Sequence, residues 1–104
     1  MKKEITVGLL KDKMKQGEVV LLDVREKHEY EFCNIKGSLH IPMNEIPQKI
    51  PELNPKEKYA VVCHSGVRSE MVTRYLVKNN FDAVNVIGGI DMWSVLVDSS
   101  VKRY

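Results

Sequence analysis

Tyr59-Ala60-Val61-Val62-Cys63-His64-Ser65-Gly66-Val67-Arg68-Ser69 changes character midway. Its first half is a nearly continuous apolar, β-branched run, the pattern of a strand covered on both faces as in a parallel sheet. Its second half is short and polar and carries a glycine. It leads into Ser69 to Lys78, where Met71, Val72, Tyr75 and Leu76 recur at helical spacing as one apolar stripe. A buried strand, a tight loop and a helix in that order form the repeating unit of a parallel α/β sheet.

The same alternation continues on either side. Val19-Val20-Leu21-Leu22-Asp23-Val24 and Ala83-Val84-Asn85-Val86-Ile87 read as further buried strands, Ser38-Leu39-His40-Ile41 as a shorter one, and Ile5-Thr6 as a minimal edge strand. Between them, Thr6 can cap a helix over Leu9, Leu10, Lys13 and Met14 that ends near Gly17. Glu26 to Phe32 reads as a short helix. Asn44 is placed to cap another that Pro51 stops, and Asn79-Asn80 supplies a turn. A last helix is predicted from Ile90 through Trp93 to Val97. These elements predict an α/β fold: a small parallel sheet of about five strands with right-handed crossovers and helices on both faces. Such sheets carry their sites beyond the C-terminal ends of the strands.

The chain has 104 residues, no repeat and no compositional break, so residues 1–104 are read as one domain. With 43% apolar and 29% charged residues it has the composition of an ordinary globular protein. A scattered net charge of +2 argues against nucleic acid or an anionic membrane as the partner, while leaving room for a small anion drawn by local charge. No apolar run approaches the ~20 residues of a membrane span, and the N-terminus lacks the apolar core of a secretory signal. Two cysteines, Cys33 and Cys63, are too few for a disulfide framework or a four-cysteine zinc site. A cytoplasmic, reducing location is expected, with no metal and no cofactor.

The loop after the central strand carries the chemistry. Cys63 stands at the strand's C-terminal tip, and Gly66 lets the chain turn directly into a helix. The N–H groups of such a loop, with the free donors of the helix N-terminus, can converge on an anion, and Arg68 adds a fixed positive charge. The same field favours the nucleophilic thiolate at Cys63. A lone strand-end cysteine is most often a buried structural residue. Cysteine, glycine turn, arginine and helix start in this order instead describe a catalytic anion cradle made by Cys63, His64, Ser65, Gly66, Val67, Arg68 and Ser69.

This loop resembles that of the rhodanese (sulfurtransferase) family, and the resemblance extends along the chain. Leu22-Asp23-Val24-Arg25-Glu26 with Glu29-Tyr30, Gly37-Ser38-Leu39-His40-Ile41-Pro42, and Gly88-Gly89-Ile90 with Trp93 are similar to the family's other motifs. Glu29-Tyr30-Glu31-Phe32-Cys33-Asn34-Ile35 and the ending Trp93-Ser94, Val97-Asp98, Ser100-Val101, Arg103-Tyr104 look like a subgroup of these domains. That subgroup is attached to ubiquitin-activating-like adenylyltransferases of molybdopterin and thiamine sulfur transfer. It usually has prolines where this chain has Ser99 and Lys102.

The resemblance implies that Cys63 takes sulfane sulfur from thiosulfate or a persulfide donor, holds it as a persulfide, and passes it to a thiol, cyanide or a protein acceptor. A sulfur-carrier or adenylyltransferase protein is then the implied protein partner. Arg68 would orient an anionic donor, and His64 and Ser65 would line the mouth. One rival is a sulfur-relay or binding module without turnover. Another is a cysteine phosphatase or arsenate reductase, but four residues separate Cys63 from Arg68, one fewer than in cysteine phosphatases. The shorter ring leaves less room for a tetrahedral phosphate.

Outside the loop, Asp23 and Arg25 read as a structural ion pair or hydrogen bond, and Trp93 reads as core. Gly88-Gly89 reads either as a pocket border or as a turn needing positive φ. His28 is expected on a solvated helix face and His40 at a strand end. Cys33 is expected near the pole of the sheet where the strands begin, too far from Cys63 for a disulfide.

Overall fold

The computed structural model describes residues 3–104. Among them run β1 (Glu4–Ile5), α1 (Val7–Lys15), β2 (Val20–Asp23), α2 (Lys27–Phe32), β3 (Leu39–His40), α3 (Ile46–Lys49), β4 (Lys58–Val62), α4 (Val67–Lys78), β5 (Asp82–Val86) and α5 (Gly89–Leu96). All five strands form one sheet in the order β1-β5-β4-β2-β3, and every pairing is parallel. The three apolar runs supply its centre, with Val61 of β4 opposite Leu22 of β2 on one side and Asn85 of β5 on the other. Leu39–His40 and Glu4–Ile5 are the edges, and their shortness limits the unpaired backbone open to unwanted pairing.

Side-chain alternation divides the core between the two faces. On one face Leu10 of α1 and Ile90 and Trp93 of α5 pack against Leu21, Ala60, Val62 and Val86. On the other, Ile46 of α3 and Val72 and Leu76 of α4 cover Leu22, Val61 and Ala83. Fully buried side chains of this size each contribute about 1.5–3 kcal/mol by leaving water, and these contacts hold the strand tips in fixed register. Thr6 caps α1 as expected, its hydroxyl oxygen accepting the Leu9 N–H at 3.3 Å.

Two sequence expectations need correction. Asn44 caps no helix: it sits inside a 3-10 turn, Met43–Glu45, that runs into α3 and then a second 3-10 turn, Ile50–Glu52. Pro47 and Pro51 are the second residues of α3 and of the second turn, so Pro51 sits inside a turn that continues from α3. In α4 the buried face is Ser69, Val72, Thr73 and Leu76. Met71 and Tyr75 face a shallow apolar groove shared with Met43, Ile46 and Pro47 and remain partly exposed. No helix among the described residues is long and apolar enough to cross a membrane.

Candidate active site

β4 ends at Val62, and Cys63 follows at the point where β2 and β5 flank the sheet's central strand. Gly66, at φ 114°, turns the chain into α4, a conformation that side-chain-bearing residues rarely adopt. Its N–H points back at the Cys63 Sγ at 3.1 Å. The Ser69 hydroxyl, on the first turn of α4, approaches the same sulfur at 3.3 Å. Burial pushes the Cys63 thiol up, yet the Ser69 hydroxyl and the N–H groups of Ser69, Gly66 and Ser65 outweigh it and bring the thiol below its ordinary value. The loop therefore favours the thiolate, and the N-terminal end of α4 adds the positive end of its dipole.

Ser69 is itself held from behind. Its single hydroxyl proton is shared between the Cys63 Sγ and the Asn85 Oδ1 of β5, and the Asn85 Nδ2 donates to the Gly66 carbonyl at 3.2 Å. Asn85 thus ties the helix end of the loop to the neighbouring strand. A second strap comes from α5, where the N–H groups of Ile90 and Asp91 donate to the carbonyls of Cys63 and His64 at 2.9 and 3.2 Å. That approach explains Gly88-Gly89 on both counts left open by the sequence. Both glycines have positive φ, and a Cβ on Gly89 would stand 2.4 Å from the His64 carbonyl oxygen.

Of the residues singled out in the sequence, Cys63, Gly66 and Ser69 meet at one sulfur. Ser65 and Val67 face solvent. His64 stacks on the ring of Tyr104, centroids 4.1 Å apart. Arg68 turns to Glu29 of α2, with Nη1 donating to Oε1 at 2.6 Å and Nη2 to Oε2 at 2.9 Å. Among the described residues no group of three His, Cys, Asp or Glu side chains converges as a metal site would.

Beside the loop, Arg25 and Asp23 form the expected structural pair. Arg25 donates to Asp23 through Nε at 3.0 Å and Nη2 at 2.7 Å, and both side chains are buried. The remaining donors of Arg25 reach the Cys33 carbonyl, the Glu29 carbonyl and the Tyr104 hydroxyl. Cys33 departs from the position expected of it. Its Sγ lies 3.6 Å from Arg25 Nη1, so the six-residue α2 leaves it beside Arg25, two residues past the C-terminal end of β2, rather than at the far pole. Both cysteines are free.

Glu29, Asn85 and Tyr104 are the members of this site that sequence reasoning did not single out. Asn85 carried a signal, a polar residue inside an apolar strand. For Glu29 and Tyr104 the partners lie 39 and 75 residues away along the chain.

In this parallel α/β domain a cysteine stands at the tip of the central strand, bonded by the loop that opens the next helix. Residues 6–96 match the Rhodanese-like domain family. The chain belongs to that family. Two proteins of Bacillus subtilis (strain 168) are similar over 88% of the chain: "Putative sulfur carrier protein YrkF" at 41% identity and "Putative sulfurtransferase YtwF" at 40%. The chain spans half the length of the first and 89% of the second. "Adenylyltransferase and sulfurtransferase uba4" of Sclerotinia sclerotiorum is 32% identical over 86% of the chain, which covers 24% of that protein. This similarity accords with the subgroup resemblance. Among solved structures, a rhodanese-like domain protein from Staphylococcus aureus superposes with a TM-score of 0.85 at 38% identity, covering 100% of this chain and 99% of that one.

Proposed function

We propose that the chain is a sulfurtransferase that carries sulfane sulfur as a persulfide on Cys63. The observation that carries this reading is the convergence on one sulfur of the Gly66 N–H and the Ser69 hydroxyl, at the head of a helix. Donors fixed in that arrangement stabilise negative charge on sulfur without reorganising during the reaction. They serve the attacking thiolate first and the charged terminal sulfur of the persulfide afterwards.

In the first half-reaction the Cys63 thiolate attacks the outer sulfur of thiosulfate or of a persulfide. A new S–S bond forms as the old one breaks, and sulfite or a thiolate leaves. In the second, a thiol, cyanide or a protein acceptor takes the terminal sulfur and restores Cys63. His64, Ser65, Gly66, Val67, Arg68 and Ser69 form the binding loop around that sulfur. The similarity to a sulfur carrier protein and to an adenylyltransferase and sulfurtransferase favours a sulfur-carrier or adenylyltransferase protein as acceptor. Phosphoryl transfer fits less well. The short loop restricts the space beside Cys63, and the Arg68 fork that would clasp a phosphate is engaged by Glu29.

The test is intact mass of the protein after incubation with thiosulfate or with cysteine persulfide. One added sulfur atom, absent in Cys63→Ser and removed by cyanide, is the expected result. Failure of every donor to modify the wild type would overturn the proposal.

A further inference from the structure

The charge at the mouth of the loop is already balanced. Arg68 and Glu29 meet in a two-point ion pair whose side chains are only 30% and 11% exposed. Glu29 also accepts the Tyr104 hydroxyl at 2.8 Å and the Glu26 N–H at 2.9 Å. The Arg68 hydrogen bonds above all, against the opposing effect of burial, hold its carboxyl at about 2. Glu29 is therefore ionised wherever a cysteine thiolate exists, and it occupies the planar fork through which Arg68 would bind an oxyanion.

The other arginines do not replace it. Arg25 is paired with Asp23, Arg74 with Glu70, and Arg103 with Asp91, which lies beneath His64. All four arginines of the sequence are thus matched with carboxylates. Exposed apolar and aromatic side chains also border this mouth: Val67 is 68% exposed, and Phe32, 51% exposed, meets Tyr104 edge to face with the Lys102 ammonium 5.5 Å over its ring.

We infer that Glu29 is a specificity-determining residue: by holding the Arg68 fork it disfavours small dianionic donors such as thiosulfate and leaves an organic persulfide, R–S–SH, as the favoured donor. This deepens, and rests on, the proposed sulfur transfer by Cys63. With R–S–SH, the thiolate bonds to the terminal sulfur while the donor's S–S bond breaks. R–S⁻ leaves with the electron pair, Cys63 becomes the persulfide, and one unit of negative charge is present before and after. With thiosulfate the leaving group is sulfite, and three negative charges gather at a mouth whose cation is already neutralised. Arg68 can meet that charge only by releasing Glu29.

Glu29→Gln keeps the shape and removes the charge. The experiment measures the second-order rate of sulfur loading on the full chain, by timed quench and intact mass, with thiosulfate and with cysteine persulfide. Glu29→Gln should raise the thiosulfate rate by about tenfold, the size expected when one unit of charge close to a dianion is removed in a watery site. The cysteine persulfide rate should rise less, so that the ratio of the two rates shifts towards thiosulfate. The midpoint pH for iodoacetamide alkylation of Cys63 should move down as the field of Arg68 is released, a shift that mere loosening of the loop would not produce. An unchanged thiosulfate rate, or an equal fall with both donors, would overturn the inference while leaving sulfur transfer intact. Loading by neither donor in the wild type would instead sink the transfer reading, and the inference with it. If Glu29→Gln does not fold, the wild type decides alone through sulfate, an unreactive dianion. Sulfate should not slow alkylation of Cys63, and saturable protection by it would overturn the inference.

Discussion

Gly89 and Cys63 are in backbone contact: a Cβ built on Gly89 would lie 2.5 Å from the Cys63 carbonyl oxygen. The N-terminus of α5 is thereby packed directly under the Cys63 loop, and Ile90 bonds to that same carbonyl. The position of Cys63 depends on a glycine 26 residues further along the chain.

Gly89→Ala is therefore expected to cost about 2–4 kcal/mol, combining a strained positive-φ alanine with displacement of the Cys63–His64 backbone. Urea unfolding should show the lowered midpoint, and sulfur loading of the folded fraction should slow. Gly37→Ala, with open space around its Cβ position, isolates the backbone strain and should cost about 1 kcal/mol.

Arg25 and Asp23 are a buried pair, and removing one partner strands the other. Arg25→Met leaves Asp23 with a buried negative charge and should destabilise the domain by about 3–5 kcal/mol. Arg25→Met combined with Asp23→Asn should recover part of that loss. Equal urea midpoints for wild type and Arg25→Met would show that the pair contributes nothing.

Ser69 is expected to set the acidity of Cys63. Loss of its hydroxyl in Ser69→Ala should raise the midpoint pH of Cys63 alkylation, because one hydrogen bond to the thiolate is removed. Because the thiol is depressed on folding, the folded state gains stability as pH rises through the thiol's range. That gain disappears as pH falls back through the folded value. Ser69→Ala should flatten this dependence.

Glu29 contributes to stability in the opposite corner of the pH scale. Its folded value of about 2 lies below its ordinary 4.5, so its contribution is complete above about 4.5 and is lost as pH falls towards 2. Because the ion pair is partly open to solvent, the effect is on the order of 1 kcal/mol. Urea midpoints of wild type and Glu29→Gln should differ at pH 6 by that amount and converge near pH 2.5, values chosen to bracket the transition.

Much of this architecture is legible in the sequence because parallel strands buried on both faces need unbroken apolar runs. Val19 to Val24, Tyr59 to Cys63 and Ala83 to Ile87 could be read directly, and Thr6 announces α1 through its hydroxyl. The face of α4 was harder to read. Its buried side turns Ser69 and Thr73 inward, Ser69 to Cys63 and Asn85, and Thr73 to the Ser69 carbonyl. A purely apolar criterion therefore selects Met71 and Tyr75 instead. The α3 region misled for another reason, because two prolines break one expected helix into short turns. Cys63, Gly66 and Ser69 were visible as one contiguous loop. Glu29 and Tyr104 acquire their roles only when α2 and the segment after α5 fold over it. Local spacing contains no record of such contacts.

The most direct measurement of the central claim is a single-turnover mass experiment on wild type, Cys63→Ser and Cys33→Ser with cysteine persulfide, followed by cyanide. Persulfide carriage on Cys63 predicts one added sulfur atom on wild type and Cys33→Ser, none on Cys63→Ser, and its loss to cyanide as thiocyanate. A sulfur gain that persists in Cys63→Ser, or an unmodified wild type, would contradict it.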